Sequence, residues 1–227
     1  MEKVITSLIA FVIALCINAQ KDVTQFLGIP IDGSKSDMVQ KLKAKGFRTN
    51  PYNEDVLDGE FNGVDVSVFI ATHHDKVCRI MVRDANSVDE RSIQIRFNEL
   101  CHQFENNSKY MTLGSGEFLI PDNENIYLGI KSHKRYEAIY YQKPSELPDT
   151  ALMKEKLMSI FLEKYKQEEL ANLTEEMKWE IAKTSVKYMK ELYFKKSVWF
   201  MISENFGKYY ITMFYDNEYN RANGEDL

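Results

Sequence analysis

The sequence has few of the residues on which catalysis and metal binding usually depend. Its 227 residues include only 4 histidines and 3 cysteines. It contains no nucleophile elbow, no phosphate-binding loop, no dinucleotide-binding glycine motif and no His-Glu-x-x-His zinc motif. No cofactor is therefore predicted. These absences do not exclude an enzyme, but they make catalysis the weaker hypothesis.

The chain also lacks a concentrated basic segment. It has 29 basic and 34 acidic residues, a formal charge of −5, and its lysines are scattered. Because nucleic-acid binding depends on a concentrated positive patch, this class of partner is not expected. With 44% hydrophobic and 28% charged residues, the composition is that of a globular protein with one large or two small cores.

Only one long apolar run is present, at 4–16, and it is short for a membrane span. Lys3 precedes it and Ala19 ends the following segment, which is the layout of a signal peptide at 1–19. An uncleaved anchor or a buried helix is the alternative. Lipidation of Cys16 is disfavoured because Leu15 stands where a small residue is required. We therefore expect a mature protein without a transmembrane span, exported to the periplasm or beyond and associated with the envelope at most.

The first third of the chain predicts a helix followed by an antiparallel sheet. A turn at 32–37 opens the helix, and Gly46 ends it. Asn62-Gly63 lies between alternating apolar residues, which is a strong hairpin signal. Strands are predicted at 47–52, 55–61, 64–72 and 76–84. An apolar helix stripe beside a sheet with one apolar face indicates an α+β layer.

This unit resembles known families in its helix opening. The segment Gly33-Ser34-Lys35-Ser36-Asp37-Met38-Val39, leading to Leu42 and Gly46, is similar to the opening of SmpA/OmlA (BamE) outer-membrane assembly proteins. The helix-then-sheet order resembles the β-lactamase inhibitor protein (BLIP). The resemblance covers residues 26–84, and Phe47 stands where those families often place a proline. The whole chain resembles exported proteins of gut anaerobes with no assigned function, which implies a compartment and no activity.

A second helix-plus-sheet unit is predicted downstream. Its helix, 88–106, carries an apolar stripe at helical spacing: Ile93, Phe97, Leu100, Cys101 and Phe104. Strands are predicted at 109–113, 117–120, 126–132 and 135–142.

A proline-rich boundary at 143–148 precedes a predicted helical segment and a hairpin of strands at 196–203 and 208–215. The predicted organisation is therefore two tandem αβ units at 20–143 and a C-terminal segment at 149–227, which could itself pack as a third unit. The alternative is one αβ domain with a separate C-terminal helical segment.

Histidines and cysteines supply the few candidate chemical sites. His73, His74 and His133 are all predicted in hairpin turns, where they could hold a metal ion if the turns share one edge. Solvated turn residues are the simpler interpretation. Cys78 and Cys101 are predicted on inward faces of adjacent elements, so they could form a disulfide contributing about 3 kcal/mol, or remain core thiols.

Aromatic residues are numerous in the second half of the chain, and alternation forces some to outer strand faces. Tyr140 and Tyr141 are not expected on the same face, nor are Tyr209 and Tyr210. We therefore predict Tyr141 and Tyr210 as exposed binding residues. The alternative is a second core layer against the helices at 150–192.

Two functional hypotheses follow from these features. The first is a non-catalytic envelope module that uses a sheet face to contact a protein or glycan. The second is an envelope hydrolase or metal-binding protein with a site at the hairpin turns.

Overall fold

The computed structural model describes residues 22–112, 117–144, 150–166, 168–169 and 173–222. The predicted signal peptide at 1–19 lies outside these residues, as does most of the predicted boundary at 143–148. No helix in the described part of the chain is both long and apolar enough to cross a membrane.

Within the described ranges, ten strands and five helices form an α+β fold. The strands are β1 Gln25–Phe26, β2 Ile29–Pro30, β3 Arg48–Asn50, β4 Asn53–Phe61, β5 Val64–His73, β6 Lys76–Asp84, β7 Tyr110–Met111, β8 Glu137–Gln142, β9 Ser197–Asn205 and β10 Lys208–Asp216. The helices are α1 Lys35–Ala44, α2 Glu90–Asn106, α3 Ile126–Lys131, α4 Thr150–Lys164 and α5 Glu175–Tyr193. A 3₁₀ turn, Phe194–Lys196, leads from α5 into β9.

Eight of the strands form one antiparallel sheet in the order β3-β4-β5-β6-β10-β9-β8-β7, and β1 and β2 form a separate small hairpin. The strand order is mirrored about the β6–β10 pair. Helix α1 precedes the four strands of one half in the chain, and α2 precedes the four strands of the other. The predicted α+β class is confirmed.

The core lies on one face of this sheet, which we call the inner face. Alternate residues of β5, β6, β8, β9 and β10 point into it and meet α1, α2 and the small β1–β2 hairpin. Helix α2 contributes the predicted stripe, and all five of its residues are buried: Ile93, Phe97, Leu100, Cys101 and Phe104. Helix α1 begins where Ser34 accepts a hydrogen bond from Asp37 N at 3.1 Å.

The predicted strand at 126–132 is wrong, because this segment forms helix α3. Asn125 caps the helix by accepting from Leu128 N at 2.8 Å. In addition, the Glu90 carboxylate accepts from Ile126 N at 2.6 Å and from Tyr127 N at 3.2 Å. A carboxylate at a helix N-terminus satisfies backbone N–H groups that otherwise have no partner. His133 therefore follows a helix and does not lie in a hairpin turn.

The predicted strand at 117–120 is also wrong, because its backbone pairs with a side chain of α2. The amide of Asn98 accepts from Ile120 N at 2.9 Å and donates to Ile120 O at 2.9 Å. This reproduces the two hydrogen bonds of a strand pair without a second strand.

The C-terminal hairpin, β9 and β10, lies inside the main sheet between β6 and β8. Helices α4 and α5 connect β8 to β9 and contact each other, and we call this helical pair the arm. Several large apolar side chains of the arm are exposed: Met158, Ile160, Leu162, Trp179 and Val186.

Candidate binding surface

The outer face of the sheet, opposite the core, carries a continuous apolar row. Ladder pairing aligns one residue from each of five adjacent strands, and each is half-buried: Phe69, Met81, Phe214, Trp199 and Ile139. Cross-strand neighbours on one face lie close enough for their side chains to touch. The row is therefore a single apolar strip across the sheet, which we call the outer row.

Trp199, which belongs to both the outer row and the groove described below, is held in a fixed position. Its ring stacks on Phe214 with a centroid distance of 3.9 Å and an interplanar angle of 13°. Its indole N–H donates to Asp216 Oδ2 at 2.9 Å. Arg79 donates to both carboxylate oxygens of Asp216, and its guanidinium lies 5.1 Å from the Phe214 ring centroid. The nearly buried Asp216 carboxylate is thus paired and hydrogen-bonded, as a buried charge must be.

A groove of about 820 Å³ runs along one end of the outer row, between the sheet and the arm. Ile139, Tyr141 and Trp199 form its apolar floor, and Lys187 of α5 contributes one wall. The rim is charged by Arg79, Arg135, Lys187, Lys195, Arg221, Glu137, Asp216 and Glu218. Five basic and three acidic side chains leave an excess of two positive charges around an apolar floor.

Each acidic side chain of the groove is paired with an arginine. Asp216 pairs with Arg79, Glu137 lies 2.6 Å from Arg135 Nη2, and Glu218 lies 3.1 Å from Arg221 Nη1. Among the described residues, Lys187 and Lys195 form no salt bridge to a carboxylate. The excess positive charge therefore resides mainly on these two ammonium groups, and the Lys195 ammonium lies 4.6 Å from the Tyr219 ring centroid.

The two tyrosines predicted as binding residues both lie on the outer face, but their exposure differs from the prediction. Tyr210 is half-buried, with the Arg83 guanidinium 5.5 Å from its ring centroid. Tyr141 is only 7% exposed, so its predicted exposure is wrong. Tyr140 is also buried, on the inner face, so neither of these two adjacent tyrosines is exposed to solvent. Tyr141 lines the groove together with Lys195 and Glu218, which lie outside the main sheet.

The three histidines of the metal hypothesis are not brought together. His73 and His74 lie at the β5–β6 turn, at the end of the sheet where β10 finishes, and their ring centroids are 3.9 Å apart. His133 precedes β8, whose first residue is aligned with Met201 toward the opposite end. In the described part of the chain, no three His, Cys, Asp or Glu side chains are placed to hold a metal ion.

Cys78 and Cys101 are free thiols in this structure, and the predicted shared inward face is wrong. The β5–β6 ladder shifts register between Ala71 and Thr72, which leaves Cys78 without a partner in that ladder. Such a bulge breaks the alternation of side chains. Cys78 is half-buried and its thiol donates to Ala71 O at 3.5 Å. Cys101 is fully buried in α2, and burial raises the pKa of its thiol to about 11.

Thiol labelling of the unreduced protein is expected to distinguish Cys78 from Cys101 by their reactivity. Cys78 should react slowly in the native protein, because it is half-buried and burial raises its pKa. Cys101 should react only after denaturation. Peptide mass spectrometry after alkylation assigns each site. A peptide pair linked through Cys78 and Cys101 would contradict the arrangement of free thiols.

Comparison of the chain with models of protein families, with curated proteins and with solved structures finds no significant match. The surface must therefore be interpreted from its own residues. Sequence alternation places Trp199 and Phe214 opposite the core residues of their strands. Alternation alone does not indicate that they align with Phe69, Met81 and Ile139, because the β6–β10 pairing joins distant parts of the chain, such as Met81 and Phe214, which are 133 positions apart.

Proposed function

We propose that the protein is an exported, non-catalytic binding module that holds a partner on the outer face of its sheet. The main support is the outer row, in which five half-buried apolar side chains form one strip on adjacent strands. A few side chains contribute most of the binding energy of a protein interface, and aromatic residues such as Trp are enriched among them. A strip of this kind on a monomer surface is typical of an interaction site.

The construction of the surface supports binding by a preorganised site. The outer row lies on strands and not on loops, and Trp199 is held by both Phe214 and Asp216. Side chains that are already fixed lose little entropy when a partner binds. The hydrolase alternative has less support, because His73 and His74 lie at the β5–β6 turn, whereas His133 lies before β8, away from that turn.

The proposal includes three finer points. The mirrored strand order, with a helix before each half, supports tandem helix-plus-sheet units of the BLIP/BamE type, with the C-terminal hairpin β9–β10 as part of the second unit, which therefore extends beyond the predicted bounds of 20–143. The apolar run at 4–16 supports a signal peptide and a location in the periplasm or outside the cell. The partner is then a protein or glycan of the cell envelope.

Replacing Ile139 with serine is expected to weaken capture of an envelope partner about tenfold. Ile139 ends the outer row and forms part of the groove floor, so its loss removes apolar contact area worth about 1–2 kcal/mol. The measurement is quantitative pull-down from envelope extract at several concentrations of the purified protein, with bound proteins and glycans identified by mass spectrometry.

Ile95→Ser provides the matched control. Ile95 is 45% exposed on α2, which packs on the inner face of the sheet. This variant should capture the same partner as the wild type, and both variants should show cooperative thermal unfolding. Equal capture by wild type and Ile139→Ser would show that the outer row is not part of the binding site.

A further inference from the structure

The groove beside the outer row differs in charge from the rest of the protein. The whole chain has a formal charge of −5, whereas the residues that line the groove have an excess of two positive charges. Lys187 and Lys195 supply that excess, because each carboxylate of the groove is already paired with an arginine. Charges of this kind at an interface select a partner of opposite sign and increase its association rate.

The combination of apolar and basic side chains found in the groove continues along helix α5. Trp179, Lys183, Val186 and Lys187 follow at helical spacing and therefore share one face of the helix. Trp179 is 68% exposed and Val186 is 53% exposed, and the Lys183 ammonium lies 5.3 Å from the Trp179 ring centroid. Because Lys187 also lines the groove, this face extends the apolar floor and the positive rim beyond the sheet.

The side chains of this surface favour a polypeptide over a carbohydrate. Sugars are usually bound on a free aromatic ring face, but one face of Trp199 is already stacked against Phe214. The Trp179 ring has the Lys183 ammonium beside it, and Ile139 and Val186 add aliphatic contacts, which pack against other apolar side chains. Arginine and lysine at the rim match carboxylates in a partner.

We infer that the groove and the adjoining face of α5 bind an acidic polypeptide segment that also carries apolar side chains. This inference rests on the proposed function and specifies its partner class. The apolar side chains of the segment lie on Ile139, Trp199 and Val186. Its carboxylates lie beside Lys187 and Lys195.

Three synthetic peptides of equal length test this inference against the full-length protein. The first alternates Glu and Leu, the second replaces every Glu with Gln, and the third replaces every Leu with Ser. Fluorescence anisotropy should give an affinity for the first peptide about tenfold or more above either of the others. The preference over the Gln peptide should decrease as salt is raised, because salt screens exposed charges.

Two lysine variants in the same helix identify the site. Lys187→Glu should weaken binding of the Glu–Leu peptide about tenfold or more. Lys178→Glu is the matched control, because Lys178 lies outside the face of α5 that carries Trp179 and Lys187. Its ammonium is 2.7 Å from the Glu175 carboxylate. That variant should keep the wild-type affinity within about twofold. Equal losses in the two variants would overturn the assignment to the groove.

The remaining outcomes distinguish this inference from the proposed function. Equal binding of the Glu and Gln peptides, weakened in both cases by Ile139→Ser, would overturn the acidic partner class and leave the outer face as a binding surface. Binding of polygalacturonate without binding of any peptide would overturn the inference in favour of an anionic glycan. If no probe binds, the inference is wrong, while envelope capture that depends on Ile139 would still support the proposed function.

Discussion

Phe97→Ala is expected to lower the free energy of unfolding by about 3–5 kcal/mol. Phe97 is fully buried in the stripe of α2, and its ring lies 5.1 Å from that of Phe200 in an edge-to-face arrangement. Phe200 in turn stacks with Phe104 and Tyr140. Alanine would leave a cavity beneath a rigid aromatic cluster, which cannot collapse to fill it. Chemical denaturation measured by circular dichroism gives the change.

Phe206→Ala is the control for this substitution. Phe206 lies in the β9–β10 turn and is 97% exposed, so its loss should change the free energy of unfolding by no more than about 0.5 kcal/mol. An unchanged denaturation midpoint for Phe97→Ala would mean that α2 does not pack as described.

The periodicity of apolar residues was sufficient to predict the elements whose hydrogen bonds join residues close together in the sequence. The stripe of α2 follows directly from helical spacing, and the β4–β5 hairpin follows from Asn62 and Gly63, which both have positive φ. The β9–β10 hairpin is predictable for a similar reason, because alternating residues point to the core. In each case the information lies within one segment of the chain.

The errors arise where distant side chains determine the local structure. The segment 126–131 alternates enough to suggest a strand, but Glu90, 36 residues earlier, caps it as a helix. The Asn98 amide likewise hydrogen-bonds to the backbone N–H and C=O of Ile120, which follows it by 22 residues. Glu90 and Asn98 lie outside the two segments that they contact. The residue pattern within each segment therefore led to the wrong secondary structure.

The candidate surface was predictable only in part for the same reason. Alternation correctly assigned Tyr141 and Tyr210 to the outer face. It could not show that Tyr141 is nevertheless buried, or that a bulge leaves Cys78 outside the regular alternation of β6. Those features depend on tertiary packing and ladder register, which a single sequence does not specify.

Asp84→Ala is expected to lower the free energy of unfolding by about 3 kcal/mol, because it leaves the half-buried Arg96 guanidinium and the buried Ile211 N–H without their acceptor. Asp84 is 9% exposed at the end of β6. Its carboxylate accepts from Arg96 Nε at 2.8 Å, from Arg96 Nη2 at 2.6 Å and from Ile211 N at 3.0 Å. One side chain thus connects β6 to α2 and to β10, the strand that joins the two halves of the sheet.

A double-mutant cycle with Arg96→Met tests whether the loss comes from the pair. The double variant should be less destabilised than the sum of the single variants, because removing both partners leaves no unpaired charge. A residual loss of about 1–3 kcal/mol is expected from Ile211 N, which would lack an acceptor. Asp55→Asn, which breaks the exposed pair with Lys35, should leave the denaturation midpoint almost unchanged. Strictly additive losses in the cycle would show that Asp84 and Arg96 do not act as one unit at the junction of the two halves.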